Sequence, residues 1–369
     1  MRPGRAGPTV IAARQGNLMQ ARLCAVGTSV PPFRYTQDEL VEHFDIADDK
    51  IRSLFKNSSI ASRHLVLPPH DANGRPRPES QGELLDKHRE WGIKMAAEAL
   101  GKCLANIGRT PADVDYLCCV TSTGFMTPGL SARLMRHRDM RPDCARLDVV
   151  GMGCNGGLNG LAPVSAWAET HPDKLAVMIC VETCSAAYVF DGTMRTAVVN
   201  SLFGDGAAAL AVSTDPKLAA TPHPLVLKTS SHIILEALEA MRFDWDDNHG
   251  LFSFYLDPQI PYVIGANAEF ALSRLLSGTG LDISDIDHWV VHSGGKKVLD
   301  ALRVNLGLSR HAVRHATSVL RDYGNLASGS FLFSLERLNR ENVVQPGDCG
   351  VITTMGPGST IEMALIQWT

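Results

Sequence analysis

The chain contains one structural pattern twice. The stretch AAEALGKCLANIGRTPADVDYLCCVTSTG (Ala96–Gly124) closely resembles AEFALSRLLSGTGLDISDIDHWVVHSGG (Ala268–Gly295). Each reads as an amphipathic helix, a glycine-containing turn, a short acidic link and a buried strand that ends in small residues. Further along, GMGCNGGLNGL aligns with DYGNLASGSFL, which places Cys154 opposite Asn325. Agreement in register over this length indicates an internal duplication, and therefore two similar halves packed about a pseudo-twofold axis.

Helices and strands alternate along each half, which predicts an α/β fold of parallel sheets covered by helices. Strands such as YLCCV and LAVMICV are apolar on both faces, as is typical of strands buried between helical layers. We expect a flexible tail over residues 1–20, an N-terminal half with a nucleophilic cysteine over residues 21–225, and a C-terminal half over residues 226–369.

A single cysteine, Cys154, lies among five glycines in the uncharged run VVGMGCNGGLNGL. Glycines at this density mark unusual backbone angles or the close approach of another group. A tight turn around an inert buried cysteine would give the same pattern. The duplication favours a functional role, because chemistry in open α/β sheets collects at the carboxyl ends of strands and the amino ends of helices.

Three side chains stand at such positions. Cys154 follows the strand RLDVV and opens a helix, and Asn325 occupies the matching place in the second half. His292 ends the strand HWVVH just before another helix. We therefore expect the pseudo-symmetry to bring these three side chains face to face.

The predicted set has two chemical interpretations. A helix amino terminus and a nearby imidazolium are both expected to lower the pKa of Cys154, and the backbone amides after it can form an oxyanion hole. Cys, His and Asn serve papain-like hydrolysis, where Asn orients His as a general base. They also serve condensation, where His and Asn hold a thioester carbonyl while an enolate forms. The residues leave both reactions open, and the duplicated α/β pattern, which papain-like enzymes lack, favours condensation.

Other polar residues lie near these motifs. Glu182 ends the strand LAVMICVE, where a general base would fit, but we interpret it as a buried structural carboxylate. Asp205 in the run GDGAAA and Cys184 are likewise interpreted as structural.

Composition argues against several other classes of protein. The net charge of −4 gives no electrostatic basis for binding nucleic acid or an anionic membrane. The nine cysteines form no CxxC pair and no His/Cys ligand cluster, which argues against a disulfide framework or a zinc site. No apolar run approaches the roughly 20 residues that a membrane helix needs. We expect a cytoplasmic protein without a bound metal.

At the residues singled out above, nearly the whole chain resembles the type III polyketide synthases of the thiolase superfamily. GMGCNGGLNGL is similar to the nucleophile segment of that family, and DYGNLASGSFLF carries its Tyr-Gly-Asn. VVHSGGKKVLD is similar to its His-Pro-Gly-Gly segment, with Ser293 where proline is usual. The resemblance implies a thiolase fold layered as αβαβα, with Cys154 as the acyl carrier and His292 and Asn325 completing the catalytic triad.

The same resemblance implies a substrate pocket and a CoA site. Phe203 in SLFGDGAAALAV and Phe254 in LFSFYLDPQIPYVI match gate residues between cavity and CoA tunnel. The other pocket positions are Thr127, Ala187, Ala327, Gly356, Pro357 and Gly358. The cations expected to bind CoA phosphates are Lys50, Arg52, Lys56, Lys296 and Lys297. The family further implies a homodimer that uses malonyl-CoA and needs no cofactor beyond CoA thioesters.

Within the family, FKNSSIASRHLVLPP and ESQGELLDKHREWG resemble the bacterial 3,5-dihydroxyphenylacetyl-CoA synthases of antibiotic pathways, as does Asn155 after the nucleophile. That resemblance implies four malonyl-CoA units, an eight-carbon chain, and auxiliary enoyl-CoA hydratase-like enzymes in the pathway. Naphthalene- or resorcinol-forming type III synthases and enzymes like ketoacyl-ACP synthase III remain alternatives. A catalytically silent homologue that acts as a binding partner and a cysteine hydrolase are alternatives from other classes.

Overall fold

The computed structural model describes residues 19–72, 74, 76–218 and 222–369, so the predicted tail lies almost entirely outside the described residues. The strands are β1 (Arg22–Ser29), β2 (Arg34–Thr36), β3 (Ser62–His64), β4 (Tyr116–Thr121), β5 (Ala145–Val150), β6 (Ala176–Glu182), β7 (Gly206–Ser213), β8 (Pro224–Ile233), β9 (Met241–Asp246), β10 (Leu251–Leu256), β11 (His288–Val291), β12 (Cys349–Gly356) and β13 (Thr360–Trp368). The α-helices are α1 (Gln37–His43), α2 (Asp49–Lys56), α3 (Gln81–Ala105), α4 (Leu130–His137), α5 (Gly156–Thr170), α6 (Met194–Leu202), α7 (Ile260–Leu276), α8 (Lys296–Asn305), α9 (Arg314–Tyr323) and α10 (Ser330–Glu341).

Nine strands form one sheet in the order β11-β12-β13-β8-β1-β7-β6-β4-β5. The two halves of this sheet meet where β1 and β8 pair at Arg22 and Leu225. Strands of the N-terminal half lie on one side of this junction, and strands of the C-terminal half lie on the other. The pseudo-twofold axis that relates the two halves therefore passes through this junction.

The prediction of purely parallel sheets is wrong, because each half of the sheet is mixed. β4 pairs in parallel with β5 and β6, and β11 pairs in parallel with β12. The strands one place away from the junction run the other way: β7 is antiparallel to both β1 and β6, and β13 is antiparallel to both β8 and β12. The β12–β13 connection is a tight turn, and such a turn can join only antiparallel strands.

Three layers of helices enclose the two halves of the sheet. Helical layers and half-sheets therefore alternate in the predicted αβαβα arrangement. α3 packs on β1, β6 and β7 over the outer face of the N-terminal half. α5 and α10 lie between the halves and contact strands of both. α7 covers the outer face of the C-terminal half on β8 and β13 and packs against α8. The inner layer is where helix ends from both halves meet.

The duplication is visible in the local structure. Before β4, the carboxylate of Asp113 accepts a hydrogen bond from the N–H of Thr110 at 2.7 Å and closes a short 3₁₀ turn. Before β11, Asp285 does the same for the N–H of Asp282 at 2.9 Å. The halves differ further on, because β5 precedes the Cys154 turn whereas helix α9 precedes Asn325. No helix of the described residues is long and apolar enough to cross a membrane.

Candidate active site

Cys154 and Asn325 stand at matching turns that open the two inner helices. Cys154 lies in a 3₁₀ turn, Gly153–Asn155, that leads directly into α5. Asn325 precedes the 3₁₀ turn Ala327–Gly329, which leads into α10. The two turns contact each other in the inner layer. The predicted pairing of the two helix starts is therefore present in the fold.

A glycine with positive φ precedes each of these residues. Gly153 has φ +70° and Gly324 has φ +72°, a backbone region that residues with a Cβ rarely adopt. An added Cβ on Gly153 would lie 2.2 Å from the Pro357 ring, and one on Gly324 would lie 2.6 Å from the carbonyl oxygen of Leu202. Both glycines are thus required by backbone angle and by space.

The amide of Asn325 acts on the thiol of Cys154 in the direction that lowers its pKa and favours the thiolate. Its Oδ1 accepts from the N–H of Ala327 at 2.8 Å, which fixes the orientation of the amide. Its Nδ2 donates to the carbonyl of Gly294 at 3.3 Å. Asn325 therefore links the cysteine turn to the loop that follows His292.

His292 comes directly after β11 and is buried. The backbone N–H of His292 donates to the carbonyl of Thr353 at 2.9 Å, which continues the parallel pairing with β12. Within the described chain, its Nδ1 has no hydrogen-bond partner. Burial lowers the pKa of His292 to about 3, so the imidazole is neutral near pH 7.

The expected lowering of the cysteine pKa is not found. Burial, and secondarily the carboxylate of Glu182, raise the pKa of Cys154 to about 12, although the hydrogen bond from Asn325 acts in the opposite direction. Desolvation outweighs the helix terminus because Cys154 is enclosed, and the imidazole of His292 carries no charge that could offset it. Cys154 is thus a neutral thiol at rest, and His292 is a neutral imidazole.

Cys154 opens onto a cavity of about 500 Å³. Phe203 and Phe254 form part of its wall, with ring centroids 5.9 Å apart and planes at 88°. The other predicted wall residues found there are Ala187, Ala327, Pro357 and Gly358. The size and the mainly apolar wall suit an extended acyl chain more than a small polar substrate.

Two predicted pocket residues lie outside the wall of this cavity. Gly356 packs behind it, where an added Cβ would lie 3.0 Å from the backbone nitrogen of Cys154. Thr127 is exposed on the loop after β4, because that loop runs outward toward α4. Neither residue is part of the cavity wall in the single chain, and their role in the substrate pocket stays a prediction.

Comparison with known proteins identifies the family. A model described as "FAE1/Type III polyketide synthase-like protein" matches residues 36–230, and one described as "Chalcone and stilbene synthases, C-terminal domain" matches residues 232–368. The chain is 61% identical over 348 residues to a 3,5-dihydroxyphenylacetyl-CoA synthase of Amycolatopsis orientalis, covering 94% of this chain and 93% of that one. The chain belongs to the type III polyketide synthases.

Other relatives agree with this assignment. The type III polyketide synthase described here is 35% identical to a 1,3,6,8-tetrahydroxynaphthalene synthase of Streptomyces peucetius subsp. caesius, covering 94% of this chain and 93% of that one. The crystal structure of 1,3,6,8-tetrahydroxynaphthalene synthase from Streptomyces coelicolor matches with a TM-score of 0.85 at 27% identity, covering 94% and 99% of the two chains. The predicted family, the thiolase fold and the condensing acyltransferase class are confirmed.

The predicted CoA-binding cations of this type III polyketide synthase lie beside the cavity and not in its wall. Lys50, Arg52 and Lys56 are exposed on α2, which packs on α6. α6 carries Val199 of the cavity wall. Lys296 and Lys297 are exposed at the start of α8, a few residues after His292. Neither group touches the cavity directly, so their role remains a prediction.

Sequence reasoning missed much of the cavity wall of this synthase. The wall residues not identified include Ser122, Thr123, Cys184, Tyr188, Val199, Leu238, Glu239, Met241, Arg242 and Phe243. Ser122 and Thr123 follow the buried strand β4, so the strand-end signal that located His292 would have found them. The stretch from Leu238 to Phe243 belongs to a 3₁₀ segment and the β9–β10 hairpin, and it carries no motif.

Glu182 borders the same site. It is fully buried, and it accepts hydrogen bonds from the N–H of Ser122 at 2.9 Å and from the hydroxyls of Thr123 at 3.0 Å and Ser328 at 2.5 Å. Burial raises its pKa, although these hydrogen bonds act in the opposite direction. Among the described residues, no cluster of three or more His, Cys, Asp or Glu has the arrangement of a metal site.

Proposed function

We propose that the chain condenses malonyl-CoA iteratively and cyclises the product to 3,5-dihydroxyphenylacetyl-CoA. The observation that carries this proposal is the contact between Cys154 and Asn325 at the cavity, in a chain 61% identical to a 3,5-dihydroxyphenylacetyl-CoA synthase. Four malonyl-CoA units would supply the eight carbons of the ring and side chain. We assign the enzyme to antibiotic biosynthesis, with enoyl-CoA hydratase-like enzymes acting beside it.

Cys154, His292 and Asn325 are the proposed catalytic residues. His292, neutral at rest, takes the thiol proton as the Cys154 sulfur attacks the starter thioester. The sulfur–carbon bond forms, and CoA leaves as its thiol with a proton returned by His292. A neutral base suits this step, because a protonated imidazole could not accept the proton.

Extension then requires a carbanion equivalent. Malonyl-CoA binds with its thioester oxygen toward His292 and Asn325, its carboxylate leaves as CO2, and the electron pair forms an enolate. The donors stabilise negative charge on the oxygen as it develops. The enolate carbon attacks the Cys154 thioester, the carbon–sulfur bond breaks, and the lengthened chain on CoA returns to Cys154 for the next cycle.

The cavity wall supports iterative growth. Ala187 and Ala327 are small and would leave space for a folded chain, and we assign the Phe203–Phe254 pair as the gate to the CoA tunnel. The phosphates of CoA are proposed to bind Lys50, Arg52, Lys56, Lys296 and Lys297. The backbone amides that follow Cys154 are the proposed oxyanion hole.

We also propose a homodimer that forms along β5. This strand is an edge of the nine-stranded sheet, and its backbone groups on that side have no partner strand within the described chain. Val150 and Met152 are exposed beside it, and Phe125 is 72% exposed on the neighbouring loop. An open strand edge flanked by apolar side chains favours pairing with a second copy.

Incubation of the purified protein with malonyl-CoA alone, with Cys154→Ala as control, tests the proposed activity. Products are separated by liquid chromatography and identified by mass spectrometry. An eight-carbon dihydroxyphenylacetyl product or its CoA ester, absent from the control, is expected. A ten-carbon naphthalene or a pyrone would contradict the proposed product. No consumption of malonyl-CoA would contradict its use as the sole substrate.

A further inference from the structure

Arg63 on β3 is fully buried, and no motif of the site includes it. Arginine is rarely enclosed without a carboxylate partner, since removing its charge from water is costly. Here the hydrogen bonds described for its guanidinium go to neutral oxygens, and the buried carboxylate of Asp205 acts on it through its charge. Its Nε and Nη2 donate to the Gln37 side chain at 3.1 and 2.9 Å, and its Nη1 donates to Tyr188, Asn200 and Phe203.

Three of the oxygens that Arg63 binds lie at or beside the proposed gate residue Phe203. Its Nη1 is 2.7 Å from the carbonyl oxygens of both Asn200 and Phe203, at the carboxyl end of α6. The last carbonyls of a helix lack partners within the helix and carry partial negative charge, so a buried cation is well placed there. Tyr188, which lines the cavity, accepts from Arg63 at 2.9 Å and donates to the carbonyl of Phe203.

The same arginine reaches the segment that carries Asn325. An added Cβ on Gly324 would lie 2.7 Å from Cδ of Arg63, so the arginine stem packs directly against that glycine. Asn325 in turn forms an isolated parallel β-bridge with Phe203. The backbone N–H of Asn325 donates to the carbonyl of Leu202, and its backbone carbonyl accepts from the N–H of Gly204, each at 2.9 Å. The guanidinium therefore contacts Phe203, and the stem contacts Gly324, the residue before Asn325, so Arg63 touches both segments that form this bridge.

We propose that Arg63 is a positioning residue that holds the gate side chain Phe203 and the triad residue Asn325 as one rigid unit, and so sets how far a chain grows before release. This inference rests on the proposed function of the two residues. Lysine cannot replace the arginine, because one ammonium cannot span the Gln37 oxygen and the carbonyls at the end of α6. Without the guanidinium group that spans these oxygens, Phe203 can shift, and unfinished chains can leave the cavity early.

The test compares Arg63→Lys with Arg34→Lys. Arg34 makes a matched control, because it lies on the adjacent strand β2, is exposed, and donates to Ser62 away from the cavity. With malonyl-CoA as substrate, the share of products shorter than the main wild-type product is expected to rise about tenfold in Arg63→Lys and to stay unchanged in Arg34→Lys. A purely structural role would lower all products equally, and that result would overturn the proposal.

Two further measurements keep the outcome decisive. If Arg63→Lys does not fold, Tyr188→Phe removes one hydroxyl of the same unit and is expected to raise the short products in the same direction; an unchanged profile overturns the proposal. Alkylation of Cys154 by iodoacetamide, followed by peptide mass spectrometry, needs no turnover. Its rate is expected to change about threefold or more in Arg63→Lys, because Asn325 moves relative to the thiol. If the wild-type protein extends no chain but the alkylation rate still changes in Arg63→Lys, the proposed function is contradicted and the positioning role of Arg63 is not.

Discussion

The Cys154 turn and the Asn325 turn occupy equivalent places in the two halves, yet they carry different chemistry. Both begin with a glycine at φ near +70°, and both lead through a 3₁₀ turn into an inner-layer helix. One presents a thiol to the cavity, and the other presents an amide that acts to lower the pKa of that thiol. The duplication has thus preserved the backbone that aims a side chain, while the side chain itself has diverged.

Removal of the thiol should produce the largest effect, because only the Cys154 turn is proposed to form a covalent bond to the chain. In Cys154→Ala, formation of extended product from malonyl-CoA is expected to fall about 10⁴-fold or more. Cys184→Ala is the matched control, since Cys184 also lines the cavity. An equal loss in Cys184→Ala would break the distinction between the nucleophile and an ordinary wall cysteine.

Loss of the Asn325 amide should lower activity less than loss of the Cys154 thiol. Asn325→Ala removes one hydrogen-bond donor to the developing enolate, and the condensation rate is expected to fall about 10²–10³-fold. The acyl-enzyme on Cys154 should still form, and intact-protein mass spectrometry can detect it after incubation with malonyl-CoA. If that adduct disappears, Asn325 acts on the nucleophile and not on the enolate.

The protonation state of the Cys154 thiol can be measured directly. With the pKa of Cys154 raised to about 12 by burial, the thiol is neutral at pH 7, and its thiolate fraction should grow with pH. The rate of alkylation by iodoacetamide is therefore expected to rise about tenfold per pH unit between pH 7 and 9. A rate that is already constant below pH 7 would mean that a thiolate–imidazolium pair exists at rest.

The two glycines should differ slightly in their contribution to stability. Gly324→Ala is expected to lower the free energy of unfolding by about 2–3 kcal/mol and Gly153→Ala by about 1–2 kcal/mol, as measured by urea denaturation. The difference arises because Gly324 faces a fixed backbone carbonyl, whereas Gly153 faces a proline ring in a turn.

Gly278→Ala isolates the effect of backbone angle in that experiment. Gly278 has φ +76°, and an added Cβ there would meet no atom within 4 Å. If Gly278→Ala costs as much as Gly324→Ala, the close approach at the second turn contributes nothing to stability.

Local patterns in the sequence predicted these turns well. The glycines around Cys154 and the strand end at His292 depend on neighbours in the chain, so one sequence suffices to find them. The antiparallel direction of β7 depends on which strands pair across the fold, and alternating strands and helices do not specify it. The raised pKa of Cys154 is a sum over every group that excludes water from it, and only the folded structure supplies that sum.

The β12–β13 turn has a consequence for how the enzyme is made. Pro357 and Gly358 of this turn form part of the cavity wall, and β13 lies buried in the interior of the sheet between β12 and β8. A growing polypeptide therefore carries Cys154 long before it has a closed chamber around it. Until β13 has been made, Cys154 has neither its full enclosure nor the complete sheet around His292. A nascent chain therefore lacks the closed cavity in which the proposed extension would take place.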